Sequence, residues 1–299
     1  SGRVSSGEQG WVTKTTTKAE TATAGKATTV RRSDACQWNL VLRPGAEPSL
    51  IRPLKMKTRP SALRRLALLT VFAAAALPVM RANTAVDPVP RDARWVQRHE
   101  GFVKLARQGG IDVLFLGDSI TDFWATRGKA VWDANYAPMH AANFGISADR
   151  TQHVLWRLDH GEVDGISPKA VVLLIGTNNT GVETNGSPRN TTAEAIEGVT
   201  QVVTTLRTKL PQSKILLLAI FPRDDPKGPP PGSSQIKDIN AAIAKLDDGK
   251  FIRFLDIGDK FLIDGKLTKE IFPDLLHPSA KGYQIWADAI REPLAEMMK

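Results

Sequence analysis

The feature that most limits the fold of this chain is an alternation, from Ile111 onward, of short apolar runs with longer stretches of helical spacing. Residues 171–175 are apolar throughout, which is typical of a strand buried on both faces. Strands that alternate with helices form a parallel sheet covered by helices on both sides. The predicted strands are residues 112–116, 140–144, 170–175, 214–220 and 251–256.

Helical spacing of apolar residues between these runs predicts four helices. The second is opened by Asn190 as a candidate N-cap. The sequence therefore predicts an α/β fold: a doubly wound, flavodoxin-like three-layer sandwich with a five-stranded parallel sheet. The predicted helices are residues 151–158, 191–210, 233–246 and 280–298.

The first 85 residues differ in composition from the rest. Residues 56–85 read as a signal peptide, with basic residues, an apolar run rich in Ala and Leu, and then small residues. A buried helix and a retained anchor are the alternatives. We predict that residues 1–55 are a disordered extension, because they are rich in Thr, Ala, Ser and Gly and lack apolar periodicity. A folded domain over residues 86–299, secreted or periplasmic, is the expected product.

Charge and cysteine usage argue against several classes of function. Residues 1–85 carry 14 of the 40 basic residues but 4 of the 31 acidic ones, so residues 86–299 have a net charge of −1. This removes the electrostatic case for a nucleic-acid or anionic-membrane partner of the domain. The single cysteine, Cys36, precedes the domain, and the five histidines lack metal-ligand spacing. We expect no metal and no cofactor, and the sequence does not predict the oligomeric state.

Polar residues follow four of the predicted strands. Ser119 follows the first strand, residues 145–149 the second, Asn178 the third and Arg223 the fourth. Ligands of such sheets bind beyond the carboxyl ends of the strands. We therefore expect these residues to meet at one edge of the sheet.

Each candidate residue also has a structural interpretation. Ser119 is either a nucleophile at the start of a helix or only an N-cap. Thr121 replaces the last glycine of a Gly-x-Ser-x-Gly elbow, which indicates a hydrolase fold of a different kind. Asp274 and His277 form either an acid and base pair or a helix-capping Asp beside an incidental His. Asn178 is either a donor to an oxyanion or a turn residue.

Aromatic residues and one loop complete the expectations for the site. Trp156 and Trp286 are predicted to lie in the core, whereas Phe123 and Trp124, just after Ser119, are predicted to line a pocket. Residues 222–232, rich in Pro and Gly, are either a stiff lip over the site or a solvated linker.

In these residues the sequence resembles the SGNH (GDSL) hydrolase superfamily over about residues 90–298. Residues 143–158, with the following Gly176-Thr177-Asn178-Asn179, look like the catalytic subunits of platelet-activating-factor acetylhydrolases and their bacterial esterase relatives. The resemblance implies an SGNH hydrolase domain over 86–299 with a catalytic triad of Ser119, Asp274 and His277.

The same resemblance implies an oxyanion hole formed by the Ser119 backbone, Ala148 and Asn178. A glycine of the family falls on Ala148, whose methyl group would strain a left-handed backbone. Gly145 is the alternative donor.

We predict a secreted serine esterase that hydrolyses short-chain carboxylic esters, mainly acetyl esters of carbohydrates, through an acyl-enzyme. The alternatives are an arylesterase, a lysophospholipase or lipid esterase similar to platelet-activating-factor acetylhydrolase, and a non-catalytic carbohydrate-binding relative. A nucleotide- or flavin-binding protein is ranked last because the chain has no glycine-rich phosphate loop.

Overall fold

The computed structural model describes residues 82–230 and 233–299. Their centre is a parallel sheet of five strands in the order β2-β1-β3-β4-β5. This order confirms the predicted doubly wound, flavodoxin-like fold, in which the strand order reverses beside β1. The strands are β1 (Val113–Gly117), β2 (Ala141–Gly145), β3 (Ala170–Leu174), β4 (Lys214–Leu218) and β5 (Ile252–Leu255).

Helices cover both faces of the sheet. Apolar residues of β1 alternate between the two cores: Leu114 and Leu116 face one, and Val113 and Phe115 face the other. The first core includes α1, α4, α5 and α6, and the second includes α7 and the partly buried α3. The helices are α1 (Ala93–Gln108), α2 (Ser119–Asp122), α3 (Lys129–Asn135), α4 (Thr151–Asp159), α5 (Thr192–Lys209), α6 (Gln235–Ile243) and α7 (Ala280–Met297).

Two details of the predicted elements are wrong. Helix α5 is capped by Thr191 and not by Asn190, because Thr191 and Glu194 exchange hydrogen bonds in a capping box. Trp156, which was predicted to lie in the core, is half-buried on the outer face of α4, where it packs on Trp95 of α1. The prediction for Trp286 is confirmed, since its side chain is fully buried in the core.

The predicted extension over residues 1–55 lies outside the described residues, as does the predicted signal peptide except for residues 82–85. Within this short segment Ala85 is buried, and its carbonyl accepts a hydrogen bond of 2.7 Å from the Thr151 hydroxyl. Of the residues that the structure describes, none belongs to a helix with the length and apolar character needed to cross a membrane.

Candidate active site

Ser119 lies directly beyond the carboxyl end of β1, as the first residue of the short helix α2. The cap of this helix is Asp118, whose Oδ1 accepts a hydrogen bond from the Ile120 N–H at 2.9 Å. The interpretation of Ser119 as an N-cap is therefore wrong. Gly117 lets the turn approach β3, since a Cβ here would lie 2.3 Å from the Leu174 carbonyl oxygen. The Ser119 hydroxyl is free of a capping role, and the residue as a whole is 8 % exposed.

His277 and Asp274 lie on the turn that precedes α7. His277 Nε2 is 2.9 Å from Ser119 Oγ, and His277 Nδ1 is 2.9 Å from Asp274 Oδ2. The cap of α7 is Ser279, so Asp274 does not cap this helix. The backbone N–H groups of Leu276 and His277 donate to Asp274 Oδ1 at 3.2 and 2.7 Å. The turn thus orients the carboxylate toward the imidazole.

Asp274 remains ionised down to strongly acidic pH. Burial alone would raise its pKa, but the backbone and side-chain hydrogen bonds from His277 outweigh this effect and lower the pKa of Asp274 to about 2. A carboxylate that stays charged can hold the imidazole in one tautomer, with the proton on Nδ1 and the lone pair of Nε2 facing the serine hydroxyl.

Arg127 is a neighbour of this pair that the sequence did not indicate. One guanidinium nitrogen of Arg127 lies 3.2 Å from Asp274 Oδ2, and another lies 3.4 Å from the His277 carbonyl oxygen. The guanidinium also stacks over Phe123, 5.1 Å from the ring centroid, and the Phe123 ring packs 4.9 Å from that of His277. Phe123 therefore belongs to the site, as predicted.

Trp124 does not line this site. Its side chain is fully buried and packs against Trp132, Tyr136, Tyr283 and Trp286 in one of the two cores. The prediction that Trp124 lines a pocket beside Ser119 is wrong, because the turn after α2 directs this residue inward and leaves Phe123 at the surface. Position next to a nucleophile in the sequence cannot distinguish the two orientations.

Asn178 follows β3 on the other side of Ser119. Its amide nitrogen donates to the Asp149 carbonyl oxygen at 2.9 Å and lies 3.4 Å from Asp118 Oδ2. Asp118 is fully buried, and burial, assisted by the nearby charge of Asp149, raises its pKa to about 7. The sequence did not indicate this carboxyl group, although it directly precedes Ser119.

Ala148 lies on the loop between β2 and α4 and has a left-handed backbone, with φ of +66°. The strain expected of a non-glycine residue at this position is therefore present in the structure. The alternative donor, Gly145, is unsuited to an oxyanion because its N–H donates to Asn143 Oδ1 at 2.9 Å. The side chain of Ala148 is exposed, in keeping with a place at the rim of the site.

Two carboxylates anchor the loop on either side of Ala148. Asp122 Oδ2 accepts hydrogen bonds from the N–H and the hydroxyl of Ser147, at 3.1 and 2.6 Å. Asp149 Oδ1 accepts from Trp95 Nε1 at 2.6 Å and from Arg91 at 3.2 Å. These contacts hold the left-handed residue in place.

Asp149 is itself fully buried. Its second oxygen lies 3.2 Å from Arg157 Nε, and burial raises the pKa of Asp149 to about 6 against the opposing charge of Arg157. The same Arg157 donates to the Phe144 carbonyl oxygen at the end of β2, at 2.8 Å. Sequence spacing could not reveal this network, because Trp95 and Asp149 are 54 positions apart.

The proline-rich loop lies beside the site over the part that the structure describes, residues 222–230. The Asp224 N–H donates to the carbonyl oxygen of Leu275, the residue after Asp274, at 2.9 Å. Arg223 donates to the Thr177 carbonyl oxygen at 2.9 Å, next to Asn178. The loop thus joins the two sides of the site, whereas residues 231–232 lie outside the described residues.

Comparison with known proteins agrees with this geometry. A model of the GDSL-like Lipase/Acylhydrolase family matches residues 115–285. Platelet-activating factor acetylhydrolase IB subunit alpha2 of Rattus norvegicus is 31 % identical over 221 residues, which cover 72 % of this chain and 90 % of that protein.

Two solved structures share the fold. A structure from Bacteroides fragilis has a TM-score of 0.57 and 18 % identity, and covers 70 % of this chain and 100 % of the other. A GDSL-like lipase from Bacteroides thetaiotaomicron has a TM-score of 0.53 and 18 % identity, and covers 68 % of this chain and 96 % of the other. The family match and the rat relative together identify this chain as a member of the GDSL-like lipase/acylhydrolase family and as an ester hydrolase.

Proposed function

We propose that this esterase works through a Ser119-His277-Asp274 triad and releases short acyl groups, mainly acetyl, from carbohydrate esters. The observation that carries the proposal is the unbroken chain of contacts from Ser119 Oγ to His277 Nε2 and from His277 Nδ1 to Asp274 Oδ2, both 2.9 Å long. Such a chain allows a neutral imidazole to take the serine proton while the carboxylate stabilises the imidazolium that forms.

In the proposed reaction, the Ser119 oxygen attacks the ester carbonyl carbon as its proton passes to His277 Nε2. Collapse of the tetrahedral adduct breaks the bond to the alcohol, which leaves with that proton. The acyl group remains on Ser119. Water then attacks the acyl-enzyme, gives one proton to His277 and releases the acid as the proton returns to Ser119.

The proposed oxyanion donors are the backbone N–H groups of Ser119 and Ala148 and the side-chain amide of Asn178. The amide has two hydrogens: one makes the 2.9 Å contact with the Asp149 carbonyl oxygen, and the other faces Asp118 at 3.4 Å. The longer contact is the one that a developing oxyanion would replace. Donors already held in place by the protein stabilise the transition state without reorganisation.

The preference for a short acyl group and a water-soluble alcohol has two supports. The rat relative is named an acetylhydrolase. Among the described residues, large apolar side chains are exposed only at Val89, Leu105 and Ile263, and a surface that acts on lipid interfaces needs a broader apolar patch.

The proposal that the protein is secreted rests only on the predicted signal peptide over residues 56–85. Sequencing the N-terminus of the exported protein tests it.

A lipid ester is the second candidate, favoured by the name of the rat relative, which specifies platelet-activating factor. Rates of acetate release from acetylated xylo-oligosaccharide and from an acetyl phospholipid distinguish the two candidates. The carbohydrate proposal expects the higher kcat/KM on the oligosaccharide, and a higher value on the phospholipid would replace it.

The esterase mechanism is tested with 4-nitrophenyl esters of two to eight acyl carbons. The wild-type protein should prefer the acetyl ester, and Ser119→Ala should lose at least about 10³-fold in kcat. Ser234→Ala is a matched control, because its exposed hydroxyl donates to Asp238 on the surface of α6 and has no other partner among the described residues. Activity of Ser119→Ala equal to that of this control would refute the mechanism.

A further inference from the structure

An arginine cluster lies on the Asn178 side of the site. It consists of Arg150, two residues after Ala148; Arg189, on the loop between β3 and α5; and Arg223, after β4. One nitrogen of Arg189 donates to the Asn178 carbonyl oxygen at 3.2 Å. Two of the three arginines therefore adjoin residues of the proposed oxyanion hole, one along the chain and one by direct contact.

The carboxylates in this cluster leave a positive charge without a matching anion. Asp225 pairs with Arg223 through two hydrogen bonds of 2.6 and 2.8 Å. Glu183 is shared: it accepts from Arg150 at 2.6 Å and lies 3.8 Å from Arg189 Nε, which is beyond hydrogen-bond distance. Two guanidinium groups thus share one carboxylate.

Arg189 is the least satisfied member of the cluster. Its side chain is 12 % exposed, and within the part of the chain that the structure describes its buried Nε has no hydrogen-bond partner. Burial and the positive charge of Arg150 lower the pKa of Arg189. An anion bound beside the two guanidinium groups would offset the repulsion between Arg150 and Arg189.

The positive charge is also local. Residues 86–299 have a net charge of −1, so the cluster is not part of a generally basic surface. Backbone hydrogen bonds hold the loop that carries Arg189. The Arg189 N–H donates to the Gly181 carbonyl oxygen at 3.0 Å, and the Val182 N–H donates to the Lys227 carbonyl oxygen at 3.3 Å. Arg150, with 21 % of its side chain exposed, gives solvent access to the cluster.

We propose that Arg150 and Arg189, with Arg223 and Asp225 behind them, form a subsite for an oxyanion on the alcohol portion of the ester substrate. The planar guanidinium group binds both carboxylates and phosphates through paired hydrogen bonds. The preferred substrate is therefore an acetyl ester that carries a carboxylate or a phosphate. This inference rests on the proposed esterase function and specifies the substrate class of that same site.

The test compares pairs of esters in which one member carries an anionic group and the other a neutral group at the same position. One pair is acetylated methyl glucuronide, with a carboxylate, and acetylated methyl glucoside, with a hydroxymethyl group. The other is acetylglycerol phosphate and monoacetylglycerol. The wild-type protein should have a kcat/KM at least about tenfold higher on the anionic member of one pair, the effect of one charge-assisted hydrogen bond. The pair that shows the difference identifies the anion as a carboxylate or a phosphate.

Substitution of the arginines tests whether the cluster causes the preference for anionic esters. In Arg150→Gln and Arg189→Gln, the ratio of kcat/KM on the anionic ester to that on its neutral partner should fall about tenfold, and added salt should lower the wild-type ratio. Arg291→Gln is the matched control, since Arg291 pairs with Asp288 on the surface of α7. Equal wild-type rates on both members of both pairs, or an undiminished ratio in the two cluster variants, would overturn the subsite.

A binding measurement separates this inference from the esterase mechanism. Inorganic phosphate should raise the Tm of the inactive Ser119→Ala protein, and this rise should be lost when Arg150→Gln and Arg189→Gln are added. If circular dichroism shows that the triple variant is unfolded, the measurement is made on Arg150→Lys and Arg189→Lys in the Ser119→Ala background. Phosphate should raise the Tm of this variant by a smaller amount, because a charge without the planar guanidinium group binds phosphate more weakly. Retention of activity by Ser119→Ala contradicts only the esterase mechanism, and an absent phosphate effect contradicts only the subsite.

Discussion

Ser119 and His277 lie 158 positions apart in the chain, yet Ser119 Oγ and His277 Nε2 are 2.9 Å apart. Helix α2, which follows the carboxyl end of β1, supplies Ser119, and the turn before α7 supplies His277. The Asp118 cap fixes the start of the helix that carries Ser119, and the Asp274 carboxylate holds the His277 ring. This arrangement makes Asp274 the most informative residue to alter without removing either reacting group.

We expect Asp274→Asn to lower kcat by about 10³- to 10⁴-fold. The amide oxygen of asparagine can still accept the backbone N–H groups of Leu276 and His277, so the turn should survive. Its NH₂ group, however, favours the imidazole tautomer with the lone pair on Nδ1, which cannot take the serine proton at Nε2. Steady-state hydrolysis of an acetyl ester measures the effect.

Asp264→Asn is the control for this prediction. Asp264 also lies on an exposed turn, and asparagine tolerates its φ of +50°. The two variants should have similar Tm values and very different kcat values. A kcat of Asp274→Asn within tenfold of this control would contradict the role of Asp274.

The sheet could be predicted because apolar periodicity is a local pattern, whereas the pairing of Ser119 with His277 was predicted only from the resemblance to the SGNH superfamily. Apolar periodicity predicts the strands, and parallel strands bring all their carboxyl ends to one edge. The contacts around the pair could not be predicted in this way, since Trp95 reaches Asp149 over 54 positions and Arg127 reaches Asp274 over 147 positions. Such contacts depend on how helices pack, and this information is absent from the spacing of residues along one segment.

The orientation of a single residue is the other kind of information that patterns lack. Phe123 and Trp124 are adjacent, and both are aromatic, yet one packs on His277 and the other lies in the core. Ala148 illustrates the reverse case. Its alignment with a family glycine predicts backbone strain, and the left-handed φ of +66° is present in the structure.

Replacement of Ala148 by glycine should relieve that strain. We expect Ala148→Gly to change the free energy of unfolding by no more than about 1 kcal/mol, on the stabilising side, because the relief is partly offset by the greater entropy of the unfolded chain. The N–H proposed as an oxyanion donor is kept, so kcat on an acetyl ester should stay within a factor of about three. Urea unfolding and steady-state kinetics provide the two measurements.

Loss of the methyl group should also widen the rim of the site. The ratio of kcat/KM on the butyryl ester to that on the acetyl ester should increase in Ala148→Gly. A tenfold loss of kcat on the acetyl ester would instead mean that the methyl group makes a contact needed for catalysis.

Trp95→Phe tests whether α1 positions the loop of Ala148. The substitution keeps an aromatic ring but removes the N–H that donates to Asp149 Oδ1 at 2.6 Å. We expect it to lower the free energy of unfolding by about 1–3 kcal/mol, the cost of leaving a buried acceptor without this donor. Because Asp149 also holds Asn178 through its carbonyl oxygen, kcat should fall about tenfold while KM changes little.

Trp156→Phe is the matched control, since Trp156 packs on Trp95 with ring centroids 5.1 Å apart in the same aromatic cluster. It should lower the free energy of unfolding without a comparable loss of kcat. If both variants lose kcat in equal measure, the effect of Trp95 is one of general packing, and the proposed positioning role is incorrect.

Asp118 should make the stability of the folded protein depend on pH. Burial raises its pKa from 3.8 to about 7, so the folded state binds this proton more tightly than the unfolded state. Between about pH 4 and pH 7 the folded state therefore holds more protons, and the contribution of Asp118 to the free energy of unfolding falls as pH rises. Each unit of raised pKa corresponds to at most about 1.4 kcal/mol.

Asp118→Asn should abolish this contribution, because asparagine carries no titrating proton and can still cap α2 by accepting the Ile120 N–H. The free energy of unfolding, measured by urea at several values between pH 4 and 8, should fall less steeply with pH in the variant than in the wild-type protein. Asp149 titrates in both proteins, so the difference between the two curves reports Asp118 together with its coupling to Asp149. Parallel curves would mean that Asp118 is ionised in the folded protein throughout this range.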